Sequence, residues 1–242
     1  MNRIFIYELK RLIFNKFFLS MILITGLYGF MTLSREIIIG IAFTAPFSSW
    51  SFGAYLANVL PLLMTTLFLF IIFMYSNHEK QVLQLIFATP VDPVKFGLVK
   101  CSAIASGFII MSLFVIVLSM VIYAVLFRFY HFGDFIIPAI ITVIPCLLFF
   151  LGAALLLGSI KPNILYVLMF VVFLMPFIPL PVFFDLYGNK FFNAYPLTLP
   201  AGIDGEPAFF LPIPFILGKI LFSAAGVIMF LAGIKRYNRS MG

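Results

Sequence analysis

Charge is what this sequence has least of. Only 10% of its 242 residues are Asp, Glu, Lys or Arg, while 64% are hydrophobic and the mean hydropathy is +1.21. A soluble domain spends about 25% of its residues on charge to cover its water-facing surface, so a water-soluble fold is excluded. Cysteine is scarce as well. Cys101 and Cys146 both fall in or beside apolar runs, which leaves no disulfide framework and no cysteine-based metal centre, only buried thiols. Two histidines, His78 and His131, lie in loops on opposite sides of the expected membrane and cannot share a metal or a catalytic site. H-E-x-x-H and G-x-S-x-G patterns are missing, and Gly218-Lys219 lacks the rest of a phosphate-cradling loop. The chain is therefore expected to have no catalytic residue, no metal and no bound cofactor, and not to hydrolyse nucleotide alone. Acidic residues are absent from every long apolar run, which disfavours a proton- or sodium-coupled carrier.

What is present is long apolar sequence without the alternation of outer-membrane barrel strands. About 20 apolar residues span a bilayer as a helix, and six stretches qualify: 17–33, 52–75, 101–127, 135–160, 164–184 and 213–234. The fold class is thus an all-α integral membrane protein with six transmembrane helices in a single domain, 1–242. Residues Thr32 to Glu36 offer no small-residue cleavage site, so the first run reads as a retained span. Eleven Lys and Arg residues cluster at the N-terminus, in the 2–3 and 4–5 connections and after the last span. The other side carries Arg35, Arg128 and Lys190 against five acidic residues. By the positive-inside rule both termini are cytoplasmic. The net charge of +7 then reflects orientation, and nucleic acid is not needed as a partner. Lys219 is the one charge inside a span, with two readings: snorkelling outward or contacting the outer segment.

Three segments outside the spans carry information. Residues 2–15 form an interfacial amphipathic helix, with Phe5, Leu9, Leu12 and Ile13 on one face and Arg3, Tyr7, Lys10 and Arg11 on the other. Residues 77–93 form a cytoplasmic helix with Glu79 in its first turn, Val82, Leu83, Ile86 and Phe87 on its apolar face, and Pro90 near its end. Its partner is the membrane surface, the chain's own spans or a soluble subunit. Residues 185–212 are too polar to span and rich in aromatics and proline, as expected of an outer re-entrant segment. Within the spans the mild polar residues Asn58, Thr65 and Thr66, with the prolines Pro176 and Pro179 that bend span five, are candidates for a translocation path.

Six spans, cytoplasmic ends, an amphipathic N-terminal helix and a helical 2–3 connection together resemble the permease subunits of ABC-2-type transporters. The most specific likeness lies in Glu79-Lys80-Gln81-Val82-Leu83-Gln84-Leu85-Ile86-Phe87-Ala88-Thr89-Pro90-Val91, followed by Lys100. Gln81-Val82 stands where the family commonly has Gly-Thr, and Gln84 where it has a second acid. The resemblance implies that Glu79, Val82, Leu83, Gln84, Ile86, Phe87 and Pro90 form a coupling helix seated on a cytoplasmic ABC ATPase. It further implies two ATPase copies holding ATP and Mg, a second permease chain in a homodimer or close heterodimer, and a bacterial plasma-membrane location. Short permeases of this kind export hydrophobic or amphipathic peptides, such as antimicrobial or toxin peptides. Lipid-linked polysaccharide, drug-like compounds or an ATP-independent channel remain alternatives.

Overall fold

The computed structural model describes residues 2–76, 79, 81, 93–178, 180–200, 202 and 206–241. Its helices are α1 (Asn2–Ile13), α2 (Lys16–Thr32), α3 (Ser49–Met74), α4 (Pro93–Phe127), α5 (Ile136–Ile160), α6 (Ile164–Leu174), α7 (Asn189–Ala194) and α8 (Ile213–Met241). No strand occurs among the described residues. Five segments are long and apolar enough to cross a bilayer: Lys16–Ile37, Ser49–Met74, Val94–Phe127, Phe132–Ile160 and Ile213–Arg236. They mark a multi-pass helical membrane protein. Val82, Leu83, Gln84, Ile86, Phe87 and Pro90 of the expected coupling helix, and Pro179 of the candidate path, lie outside the described residues.

The run expected as a full span at 164–184 differs. It forms a helix of only 11 residues, then a short 3-10 turn at Met175–Phe177. Pro176 is the reason: it has no amide hydrogen to continue the ladder, although Met175 before it keeps helical geometry at φ −54° and ψ −37°. Helix α1 ends at Ile13, within its expected range, and Asn15 then caps α2 by accepting from the Phe17 amide at 3.0 Å.

Helix α3 is the hub. It packs against α2, α4, α5, α6 and α7, and contributes much of the core, including Phe52, Tyr55, Leu60, Met64 and Phe68. Helices α5 and α8 are the most intimate pair. A Cβ on Gly152 would lie 2.1 Å from the Gly226 carbonyl oxygen, and one on Gly226 would lie 2.5 Å from the Leu148 carbonyl. Only glycine lets the two backbones approach so closely.

The segment between α6 and α8 fills the space that short α6 leaves. Asp185 accepts from the Gly188, Asn189 and Phe191 amides at 2.8, 3.1 and 2.9 Å, with Gly188 left-handed at φ 86°, which turns the chain and starts α7. Tyr187 donates to the Val172 carbonyl at 3.1 Å, and the Cys146 thiol donates to the Leu186 carbonyl at 3.1 Å. Cys146 lies ten residues into α5, or about 15 Å at 1.5 Å per residue. The loop therefore dips deep between the helices. Beyond it, Trp50 donates to the Pro207 carbonyl at 3.0 Å and the Ala45 amide donates to Glu206 at 2.8 Å, tying residues 206–207 to the end of the bundle where α3 begins.

Gly152→Val should force α8 off α5 and destabilise the bundle by about 1–3 kcal/mol. Unfolding by SDS in mixed micelles measures this. Ile228→Val, on the exposed face of α8, should shift the same midpoint by less than about 0.5 kcal/mol.

Candidate functional site

Four charged side chains meet at the end of the bundle that carries α1. The two oxygens of Glu79 are divided between two cations: Arg11 reaches one at 2.7 Å, and the Lys100 ammonium holds the other. Arg11 also pairs with Glu8, one helical turn earlier, at 3.0 Å. Lys100 is buried, and its ammonium lies 5.6 Å from the centre of the Phe96 ring. Buried Lys100 needs its carboxylate, because an unpaired charge inside the bundle is strongly disfavoured, whereas Arg11 is exposed and pairs at the surface. The cluster joins α1, the chain just past α3 and the first turns of α4.

Sequence reasoning placed Glu79, Lys10 and Arg11 near this end but missed Glu8. Lys10 is exposed, whereas Glu8 is the buried residue of α1. Phe5, Leu9, Leu12 and Ile13 of the expected stripe are all half-buried, and Leu12 and Ile13 pack on the core together with Ile4. The signal was present, since Ile4, Glu8 and Leu12 fall four residues apart on one face. Burial pushes the Glu8 carboxyl above its ordinary value of 4.5, and the pull of Arg11 and Lys100 only partly offsets that rise.

Beside the cluster lies a cavity of about 310 Å³, charged at one end and apolar at the other. Glu8, Arg11, Glu79 and Lys100 line the first end; Phe17, Phe18, Phe70, Phe73 and Met74 line the second. From it a strip of α3 runs open along the bundle. Asn58, Leu62, Thr65, Leu69 and Ile72 are half-buried and Phe73 is exposed on a helix otherwise packed on all sides. Their spacing of three and four residues puts them on one face. Helix α2 borders the strip at both ends, with the Tyr28 hydroxyl 3.4 Å from the Asn58 carbonyl and the Phe17 and Phe73 rings 5.1 Å apart.

Of the expected path residues, Asn58 and Thr65 lie on this strip. Thr66 is fully buried, its hydroxyl donating to the Leu62 carbonyl at 3.1 Å. Pro176 lines a separate cavity of about 300 Å³ with Asp185, Lys190 and Asn193. Lys219 contacts the segment between α6 and α8, the second of its two expected readings: its ammonium donates to the Leu186 carbonyl and lies 4.8 Å from the Phe215 ring centre. Glu36, one of the acids counted on the side away from the basic cluster, accepts from the Asn58 side-chain amide at 3.0 Å. Hydropathy alone gave no signal for that contact.

Lys100→Met should leave Glu79 with Arg11 alone and destabilise the fold by about 3 kcal/mol, the low end for a broken buried pair. The double variant Lys100→Met with Glu79→Gln should recover part of the loss in the same SDS titration. For Glu8 the folded state holds its proton to higher pH than the unfolded state. Its stabilising effect is thus complete below 4.5 and is lost as pH rises through the raised value. Amide exchange in α1, corrected for its intrinsic pH dependence, should be slower on the acidic side of that window, and Glu8→Gln should flatten the profile.

Compared with family models, curated proteins and solved structures, the chain matches none of them.

Proposed function

We propose that this chain is the membrane-spanning permease subunit of an ABC-2-type exporter, driven by a separate ATPase docked on residues 77–93. The observation that carries this reading is the clamp on Glu79. Helices α3 and α4 enter and leave the 77–93 connection, and Glu79 within it is gripped from α1 and from Lys100 of α4. A push on the connection therefore moves three elements together, as a docked motor requires. The strip of Asn58 and Thr65, opening from an amphipathic cavity, supplies a neutral route for an apolar or amphipathic cargo.

Six crossings fit the same reading. Helix α6 starts beside the end of α5 and rises only part way, and the segment to Pro207 continues to the opposite end, where it meets Ala45 and Trp50. The end bearing α1 and Lys100 then faces the cytoplasm of a bacterial cell, with both termini inside. Two permease chains and two ATPase subunits, the latter holding ATP and Mg, complete the transporter. Peptides of antimicrobial or toxin type are the preferred cargo.

Leu83→Asp combined with Ile86→Asp should abolish ATP-driven transport in liposomes containing chain and ATPase, with insertion unchanged. Normal transport by that double variant refutes the docking role.

A further inference from the structure

The cavity beside the Glu79 clamp holds more hydrogen-bond donors than its own carboxylates use. Both ion pairs of Arg11 run through Nη2, so Nη1 and Nε have no partner among the described residues. Buried Lys100 spends one of its three N–H groups on Glu79. Asn15 accepts from the Phe17 amide and Ser76 from the Glu79 amide at 3.4 Å, which leaves the Asn15 side-chain amide and the Ser76 hydroxyl hydrogen unspent. Glu8 is the weaker of the two counter-charges, because burial favours its protonated form. All of these residues line the same space of about 310 Å³.

The walls select the ligand. Opposite the donors stand Phe17, Phe18, Phe70 and Phe73, and Phe73 is exposed on a spanning helix. A small inorganic anion would leave that wall uncovered, whereas a phospholipid lays its chains over it and its phosphate among the donors. The site is built into the bundle: a Cβ on Gly107 would lie 2.4 Å from a Leu12 methyl, so α1 is seated directly on α4. Within residues 2–16 Glu8 is the only acid, while Arg3, Lys10 and Lys16 are exposed. Such a basic surface enriches anionic lipid beside the opening.

We propose that this cavity holds a resident anionic phospholipid of the leaflet that α1 faces, its phosphate accepting from Arg11 and Lys100 and its chains passing Phe17 and Phe73 into the surrounding bilayer. The lipid is a fixed part of the bundle and not cargo. It ties α1 to α4 through the same two cations that grip Glu79. The inference needs a chain embedded in a bilayer and stands apart from the permease reading.

Lipids with brominated chains quench a nearby tryptophan and so report which lipid sits at one place. Phe73→Trp, on the apolar wall, and Leu19→Trp, exposed on α2 outside the cavity, are introduced singly into the full chain. Each is reconstituted in phosphatidylcholine bilayers with rising fractions of brominated phosphatidylglycerol or brominated phosphatidylcholine. The native chain, with Trp50 alone, gives the background. At 73 phosphatidylglycerol should be preferred about tenfold, the factor expected of one charge-assisted contact, and at 19 hardly at all. Arg11→Gln should reduce the preference at 73 to that at 19, Lys10→Gln should leave it unchanged, and soluble glycerol phosphate should not compete. The comparison of 73 with 19 requires no charge variant, so it decides the matter even where Arg11→Gln fails to insert. Three results overturn the proposal: equal preference at 73 and 19, equal loss in Arg11→Gln and Lys10→Gln, which marks diffuse surface attraction, or displacement by glycerol phosphate, which makes the site one for a soluble anion.

Discussion

Hydrocarbon neither hydrogen-bonds nor solvates charge, and under that constraint the buried charged residues among those described, Glu8, Lys100, Asp185 and Lys219, are each paired or hydrogen-bonded inside the bundle. At one end Arg11, Glu79, Lys100 and Glu8 neutralise one another. Deeper between the helices, at the level of Cys146, Asp185 is satisfied by three backbone amides and Lys219 by a carbonyl and an aromatic face. Between them the polar side chains are mostly hydroxyls bonded to their own helix, such as Thr25, Thr65, Ser112 and Thr142. Those bonds hold nothing together across helices. Packing does that instead, most tightly where Gly152 and Gly226 bring α5 and α8 into backbone contact.

Helix α3 is packed on most of its circumference and open on one strip, whose side chains Asn58, Leu62, Thr65, Leu69 and Ile72 carry no charge. The Glu79 clamp gathers α1 and α4 around the connection between α3 and α4, whereas the dipping segment between α6 and α8 is wedged by Tyr187 and the Phe191–Phe215 stack with centroids 4.0 Å apart.

Much of the helical plan was legible because long apolar runs have one stable form in lipid. The runs at 52–75, 101–127, 135–160 and 213–234 all lie within or almost within helices of the structure. Hydropathy could not see where a helix stops inside an apolar run. Proline at 176 ends α6 although the following residues stay hydrophobic. Nor could it see pairings between distant charges. Arg11 and Glu79 were each noticed, but their meeting depends on α1 folding back along α4, which no local pattern encodes. Glu8 was hidden by rarity: an acid on an apolar face reads as an exception until Arg11 and Lys100 surround it. The contact of Glu36 with Asn58 was hidden because it depends on a π-helical turn at Leu33–Ile37 that hydropathy does not encode.

The account stands on the Glu79 end facing the cytoplasm. Cys101 and Cys146 are buried, so a single cysteine introduced at exposed Gln81 or at exposed Phe43 reports its own side. A membrane-impermeant maleimide added to intact cells should modify the cysteine at 43 and reach that at 81 only after permeabilisation. Modification at 81 from outside, with 43 protected, would contradict the account.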